Sequence, residues 1–197
     1  MAKVTWDGST LLSPVPVVLV GCGSAEHPNT MTAAWTGVVC SDPPMAYVSI
    51  RKERYSYGLI RESGLFSLNL VNRSLVRAAD FCGVRSGRQL DKLAHLGLHA
   101  SAGRLGCPLI DESPLSLECR VTQVLELGSH DLFLAEIEAV HAEESLLDSS
   151  GRLCLEKAEL VAYSHGQYVP LGRSLGGFGF SVRKKPVRKK PSSSKKS

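Results

Sequence analysis

Apolar and polar positions alternate in short runs along most of the chain, and turn residues interrupt them every few positions. Such runs, rich in Thr, Val, Ile and aromatic residues, predict strands. Asn29 to Val39, NTMTAAWTGVV, is one. Ser41-Asp42-Pro43-Pro44 breaks it, because proline fixes φ and restricts the residue before it. Met45 to Ile50 is apolar enough for a buried strand, and Leu65 to Val71 contains another. Leu11 to Gly21 is strand-like, with Pro14 and Pro16 near its start predicting a sheet edge. Leu115 to Leu127 predicts a long strand whose imperfect alternation suits a bend or a bulge. Gly128-Ser129-His130-Asp131 predicts a hairpin turn, and Leu132 to Val140 the returning strand. Leu160 to Tyr163 and Gln167 to Leu171 flank a further turn.

The helical patterns are few and short. Tyr55 to Gly64 predicts a helix with Gly64 as its stop. Leu75 to Phe81 and Leu90 to Leu96 predict two more, separated by the glycine-bracketed loop 83–87. Pro108 to Pro114 and Leu146 to Leu155 read as turn and loop, and residues 1–10 as an arm or an edge segment. Many short strands with a few short helices predict a mainly β fold, a barrel with helical additions.

Size and charge refine this picture. One domain is the natural prior for 197 residues, and a 43% hydrophobic content suffices for a core. The start, MAKVTWDGSTLL, lacks a secretory pattern, and no run reaches membrane-span length, so a cytoplasmic protein is the expectation. The six cysteines are scattered without CxxC spacing, which argues for reduced thiols rather than a zinc site. Residues 183–197 carry eight basic and no acidic residues, leaving 15 basic against 19 acidic in 1–182. A mildly acidic domain, 1–182, with a disordered basic tail, 183–197, follows. The tail reads first as a solubilising extension, and a nucleic-acid contact is the less favoured alternative.

The chemistry gathers after the second strand. Arg51, Lys52 and Arg54 arrive within four positions, just before Ser56 and a predicted helix start. Basic side chains, a hydroxyl and a helix N-terminus suit an anionic phosphate. Gly21-Cys22-Gly23 lacks the third glycine and the following helix of a dinucleotide fingerprint, and reads as a turn.

The segments NTMTAAW (29–35), SIRKERYS (49–56), FSLNL (66–70), FCGVRSGRQLDKL (81–93), SHDLFLAEI (129–137) and GGFGFSVRK (176–184) resemble, in that order, the flavin reductase-like, FMN-binding split-barrel family, flavoredoxins above all. The resemblance implies a split β-barrel, a homodimer and FMN. It implies an oxidoreductase passing electrons from NAD(P)H or a redox protein to a flavin, metal or protein acceptor. A non-enzymatic FMN electron carrier is the alternative. It places Arg51, Ser56 and Lys92 at the phosphate, with Ser86 in the same SGxxxDK-like loop. It places Asn29, Thr30, Met31, Thr32 and Trp35 along the ring, with Ser49 and Ile50 beside them. Trp35 could equally be a core aromatic. Asn69 would meet the ribityl chain or satisfy a neighbouring backbone group. His130 would lie beside the ring or phosphate, or be an exposed turn residue. Tyr163 would pack by the flavin near the second subunit, or in the core. Lys52 and Arg54 would join the phosphate site or simply face solvent.

Overall fold

The computed structural model describes residues 1–183. Its strands are Val15–Pro16 (β1), Val18–Gly23 (β2), Pro28–Ala33 (β3), Thr36–Ser41 (β4), Pro44–Arg51 (β5), Leu65–Leu70 (β6), Ala100–Ala102 (β7), Pro108–Ile110 (β8), Leu115–Leu127 (β9), His130–Ala142 (β10), Val161–Ser164 (β11) and Gln167–Pro170 (β12). Its α-helices are Tyr55–Ser63 (α1), Val76–Val84 (α2) and Lys92–Leu96 (α3). Seven strands form one antiparallel sheet in the order β3-β2-β6-β9-β10-β5-β4. Its two outer strands, β3 and β4, are separated in sequence only by Ala34 and Trp35. One extended run thus supplies both margins and curls the sheet into a barrel. Register shifts in β9–β10 and β4–β5 supply the local bends.

Strand β2 separates the two halves of the core. Val18, Val20 and Cys22 point into the barrel with Phe66, Ile50, Val48 and Phe133. Val17 and Leu19 point outward, onto Ala78, Ala79 and Cys82 of α2 and Leu93 of α3. Two-sided burial explains why 17–22 is a continuous apolar run, since each fully buried large side chain contributes about 1.5–3 kcal/mol. The edge expected for the proline-bearing strand belongs only to β1, which borders the small sheet β1-β11-β12; β2 is central. The predicted single strand 29–39 is two strands, and the turn-rich 108–114 contains β8, which pairs with β7. The hairpin turn is tighter than expected: His130 and Asp131 already belong to β10. The disordered tail expected at 183–197 lies outside the described residues except for Arg183, which donates to the Phe178 carbonyl.

Helix α1 links barrel and site. Gly64 ends it at φ 68°, a left-handed position that suits a residue without Cβ, and its N–H returns to the Ile60 carbonyl. Among the described residues no side chain caps its first turn, and that turn holds no acidic residue. Ile60 anchors its inner face, and Tyr57 packs edge-on against Phe133 at 5.4 Å.

Candidate functional site

The uncapped end of α1 opens onto a cavity of about 520 Å³. The end of β5 brings Arg51, the following turn brings Arg54, and α1 brings Tyr55 and Ser56. Met31 enters from β3, and Arg85, Ser86, Gly87 and Lys92 from the α2–α3 connection and the start of α3. Runs 29–35 and 51–56 therefore face one space. Four cationic side chains and one carboxylate, Glu53, line it.

Lys92 is the unusual member. It is only 3% exposed, yet among the described residues its ammonium has one hydrogen-bond partner, the Arg85 carbonyl at 3.3 Å. Burial pushes its pKa down from the ordinary lysine value. A buried ammonium with unused donors on a cavity wall is built for an incoming anion. Arg54 is held similarly, donating to the Gly83 carbonyl at 2.9 Å. The lone carbonyls of the α2 terminus thus hold both cations beside the cleft.

Asn29 works behind this wall. Its carboxamide donates to Ser56 Oγ at 2.8 Å and to Cys22 Sγ at 3.3 Å. Ser56 Oγ thereby has its acceptor side occupied, which leaves its O–H as a donor. Gly87 lies so close that a Cβ there would fall 2.1 Å from Asn29 Oδ1 and 2.9 Å from Tyr55 Cδ1. Burial pushes the nearby Cys22 and Cys82 thiols up, with Lys92 pulling the other way without reversing it, so both are protonated at neutral pH.

A second compartment of about 150 Å³ adjoins the first through Met31, Arg51 and Arg54. Thr32, Trp35, Ser49, Ile50 and His130 line it. The Trp35 carbonyl accepts the Ser49 N–H at 2.9 Å, which ties the β3–β4 join to β5. Cross-strand pairing sets His130 opposite Arg51. The Trp35 and His130 rings lie 4.5 Å apart, tilted by 40°. Burial, and then the Arg51 charge, lower the His130 pKa and favour neutral imidazole. Charge at one end and a half-open aromatic wall at the other suit a planar heterocycle with an anionic tail.

A family model described as the flavin reductase like domain matches residues 11–172. The chain belongs to that family. Flavoredoxin of Desulfovibrio vulgaris (Miyazaki F) superposes with a TM-score of 0.85 at 34% identity, covering 92% of this chain and all of that one. An FMN-binding protein from Thermus thermophilus superposes at 0.75 with 28% identity, over 90% of this chain and 97% of that one. An uncharacterized protein of Aeropyrum pernix is 42% identical over 66% of this chain; the match spans 51% of its own length. An NADPH-flavin oxidoreductase of Streptomyces viridifaciens is 30% identical over 66% of this chain and 68% of that protein.

Within this flavin reductase-like domain, the cleft gathers Met31, Thr32, Trp35, Ser49, Ile50, Arg51, Ser56, Ser86, Lys92 and His130, with Asn29 in support. Trp35 is 43% exposed, which excludes the core-aromatic alternative. Three expected residues lie elsewhere. Thr30 is fully buried on the α2-facing side of β3 and lines neither compartment. Asn69 is buried in a network of its own: Nδ2 donates to the Leu19 carbonyl and Ser67 Oγ, and Oδ1 accepts from Ile110 N and Ser116 Oγ. Those four bonds use its hydrogen-bonding capacity. Tyr163 packs edge-on against Tyr168 in the small sheet. Sequence reasoning left Arg54 open and missed Arg85, Tyr55 and Gly87. Arg54 and Tyr55 stand inside the basic segment already noted, and Arg85 and Gly87 inside the glycine-bracketed loop. Lys52 does turn away, pairing with Asp131 at 3.2 Å and Glu126 at 3.6 Å.

Proposed function

We propose that the chain is an FMN-dependent oxidoreductase that takes electrons from NAD(P)H and passes them to a flavin, metal or protein acceptor. The buried, under-bonded Lys92 carries this reading, because it faces a cleft that runs from four cations to an aromatic wall. Two relatives support it: one is an FMN-binding protein, another an NADPH-flavin oxidoreductase. Lys92, Arg51, Arg54 and the Ser56 hydroxyl would hold the phosphate, with the α1 N-terminal amides adding their dipole. Met31, Trp35 and His130 would flank the ring. When bound, FMN supplies the hydride and electron chemistry. The chain orients the ring, leaves one side open beside the half-exposed Trp35, and keeps neutral His130 next to it.

The domain would span 1–182, with 183–197 an accessory tail, and would act as a homodimer. Val38 and Val39 of the edge strand β4 and the neighbouring Trp35 are exposed apolar residues, which supports a second copy covering that edge. A visible spectrum of the purified protein, followed by anaerobic NADH or NADPH, tests the activity. A flavin band that bleaches with either donor is expected. A colourless protein that takes up no added FMN refutes the reading, and a band that neither donor bleaches leaves a protein donor. Sedimentation as a monomer at micromolar concentration would remove the dimer.

A further inference from the structure

A cavity of about 640 Å³ lies between α2 and the end of α3, within the size range of small-molecule sites. It shares only Arg85 with the lining of the phosphate compartment. Leu75, Ala78, Phe81, Val84, Leu96 and Leu98 make its apolar wall. Arg77, Phe81 and Arg85 follow at four-residue steps along α2 and its C-cap, so one stripe of the helix carries a ring between two cations. The Phe81 ring stacks on His95 at 4.7 Å with the planes 14° apart, and both rings line the cavity. Among the described residues the arginine–carboxylate pairs are Arg51–Glu53, Arg73–Glu159 and Arg120–Glu138, and Arg77 and Arg85 have none. The one carboxylate in the lining, Asp80, stands beside Tyr168. Burial, and then the Asp80 charge, push that phenol up to about 12, so it keeps an O–H next to the carboxylate. Positive charge is therefore in excess around an apolar, partly aromatic bed.

We propose that this cavity binds an aromatic carboxylate, with the ring system against Phe81, His95 and the leucines and the carboxylate on Arg77. A guanidinium matches a carboxylate with two parallel N–H bonds, which fixes the acid group in one orientation. Arg85 also lines the flavin cleft, where a phosphate would claim it, whereas Arg77 lines this cavity alone. The Phe81–His95 stack favours a flat body over an aliphatic one, because a third ring gains stacking as well as burial. Val84 is 73% exposed on the same wall, apolar surface that such a ring would take out of water. Asp80 disfavours a doubly charged phosphate and leaves the single negative charge of a carboxylic acid as the better match. The site stands whether or not the neighbouring cleft holds a flavin.

Calorimetric titration of the full chain with naphthoate, in excess FMN to fill the cleft, tests this. One site per chain with a Kd below about 1 mM is expected. The neutral amide, naphthamide, should bind about fivefold or more weaker, since it lacks the charge. Arg77→Gln, at an exposed position where folding is not at stake, should weaken naphthoate by about tenfold and move naphthamide by less than about threefold. Val84→Glu, also exposed, sets a second carboxylate on the wall and should weaken naphthoate further than naphthamide. Arg51→Gln, which alters only the flavin cleft, should leave naphthoate binding unchanged. No saturable binding up to about 1 mM overturns the proposal, and so does equal affinity for acid and amide. Loss on Arg51→Gln with none on Arg77→Gln also overturns it, because the acid then sits in the flavin cleft.

Discussion

Lys92→Met separates what a buried cation does for the fold from what it does for the ligand. The side chain is 3% exposed and, among the described residues, makes one hydrogen bond, to a carbonyl, so the apoprotein bears a desolvated charge with little compensation. Methionine keeps the length and removes the charge. Its cost is one carbonyl bond, about 1 kcal/mol, set against the relief of desolvation. Urea midpoints of the apoprotein should therefore stay level or rise. A phosphate on Lys92 would lose a charge-assisted hydrogen bond of about 1.5–3 kcal/mol, which is roughly 10- to 150-fold in Kd. Riboflavin has the ring without the phosphate and serves as the control. FMN should weaken by that factor and riboflavin should not. Equal losses for both ligands would refute the argument, and so would unchanged FMN affinity. The pH dependence adds a sign. The folded-state pKa of Lys92 lies below the ordinary 10.5, so the unfolded chain holds the extra proton between the two values. Apoprotein stability should rise as pH climbs through that window, and Lys92→Met should remove that rise.

Two further expectations follow from the same geometry. Fully buried Glu118 accepts the Arg104 and Leu105 N–H groups, each at 2.7 Å, and His141 Nε2 at 2.6 Å. Burial raises its pKa, but these donors outweigh burial and leave it lowered, so its stabilisation is present above about 4.5 and is lost as pH falls through the folded value. Glu118→Gln should cost about 1–3 kcal/mol in urea unfolding at pH 7 and flatten the acid limb; an unchanged limb would refute the assignment. Gly87→Ala puts a Cβ against Asn29 Oδ1 and should disturb the Asn29–Ser56 pair. FMN affinity should then fall by about tenfold, the worth of one hydrogen bond, in fluorescence titration, with unchanged affinity counting against the clamp.

Local pattern carried much of the fold. The limits of β9, Leu115–Leu127, follow from its alternation, and its imperfections mark true register shifts against β10. Gly64 announces the end of α1 because the left-handed conformation there penalises a Cβ. The basic residues before α1 are legible for the same reason: neighbours in sequence stay neighbours at a helix N-terminus. What the chain alone left undecided was the direction of side chains whose partners are distant in sequence. Lys52 and Arg54 sit two positions apart in one turn, and only the approach of Asp131 and of the Gly83 carbonyl sends one away from the cleft and the other into it. Asn69 reads as a ribityl ligand or a structural amide until β8 arrives behind β6 and supplies the Ile110 N–H. Lys92, 36 positions after Ser56, reads as a surface charge by composition. Its burial exists only once the α2–α3 connection folds across β3 and α1, because desolvation depends on which surfaces meet, and residue order does not record that.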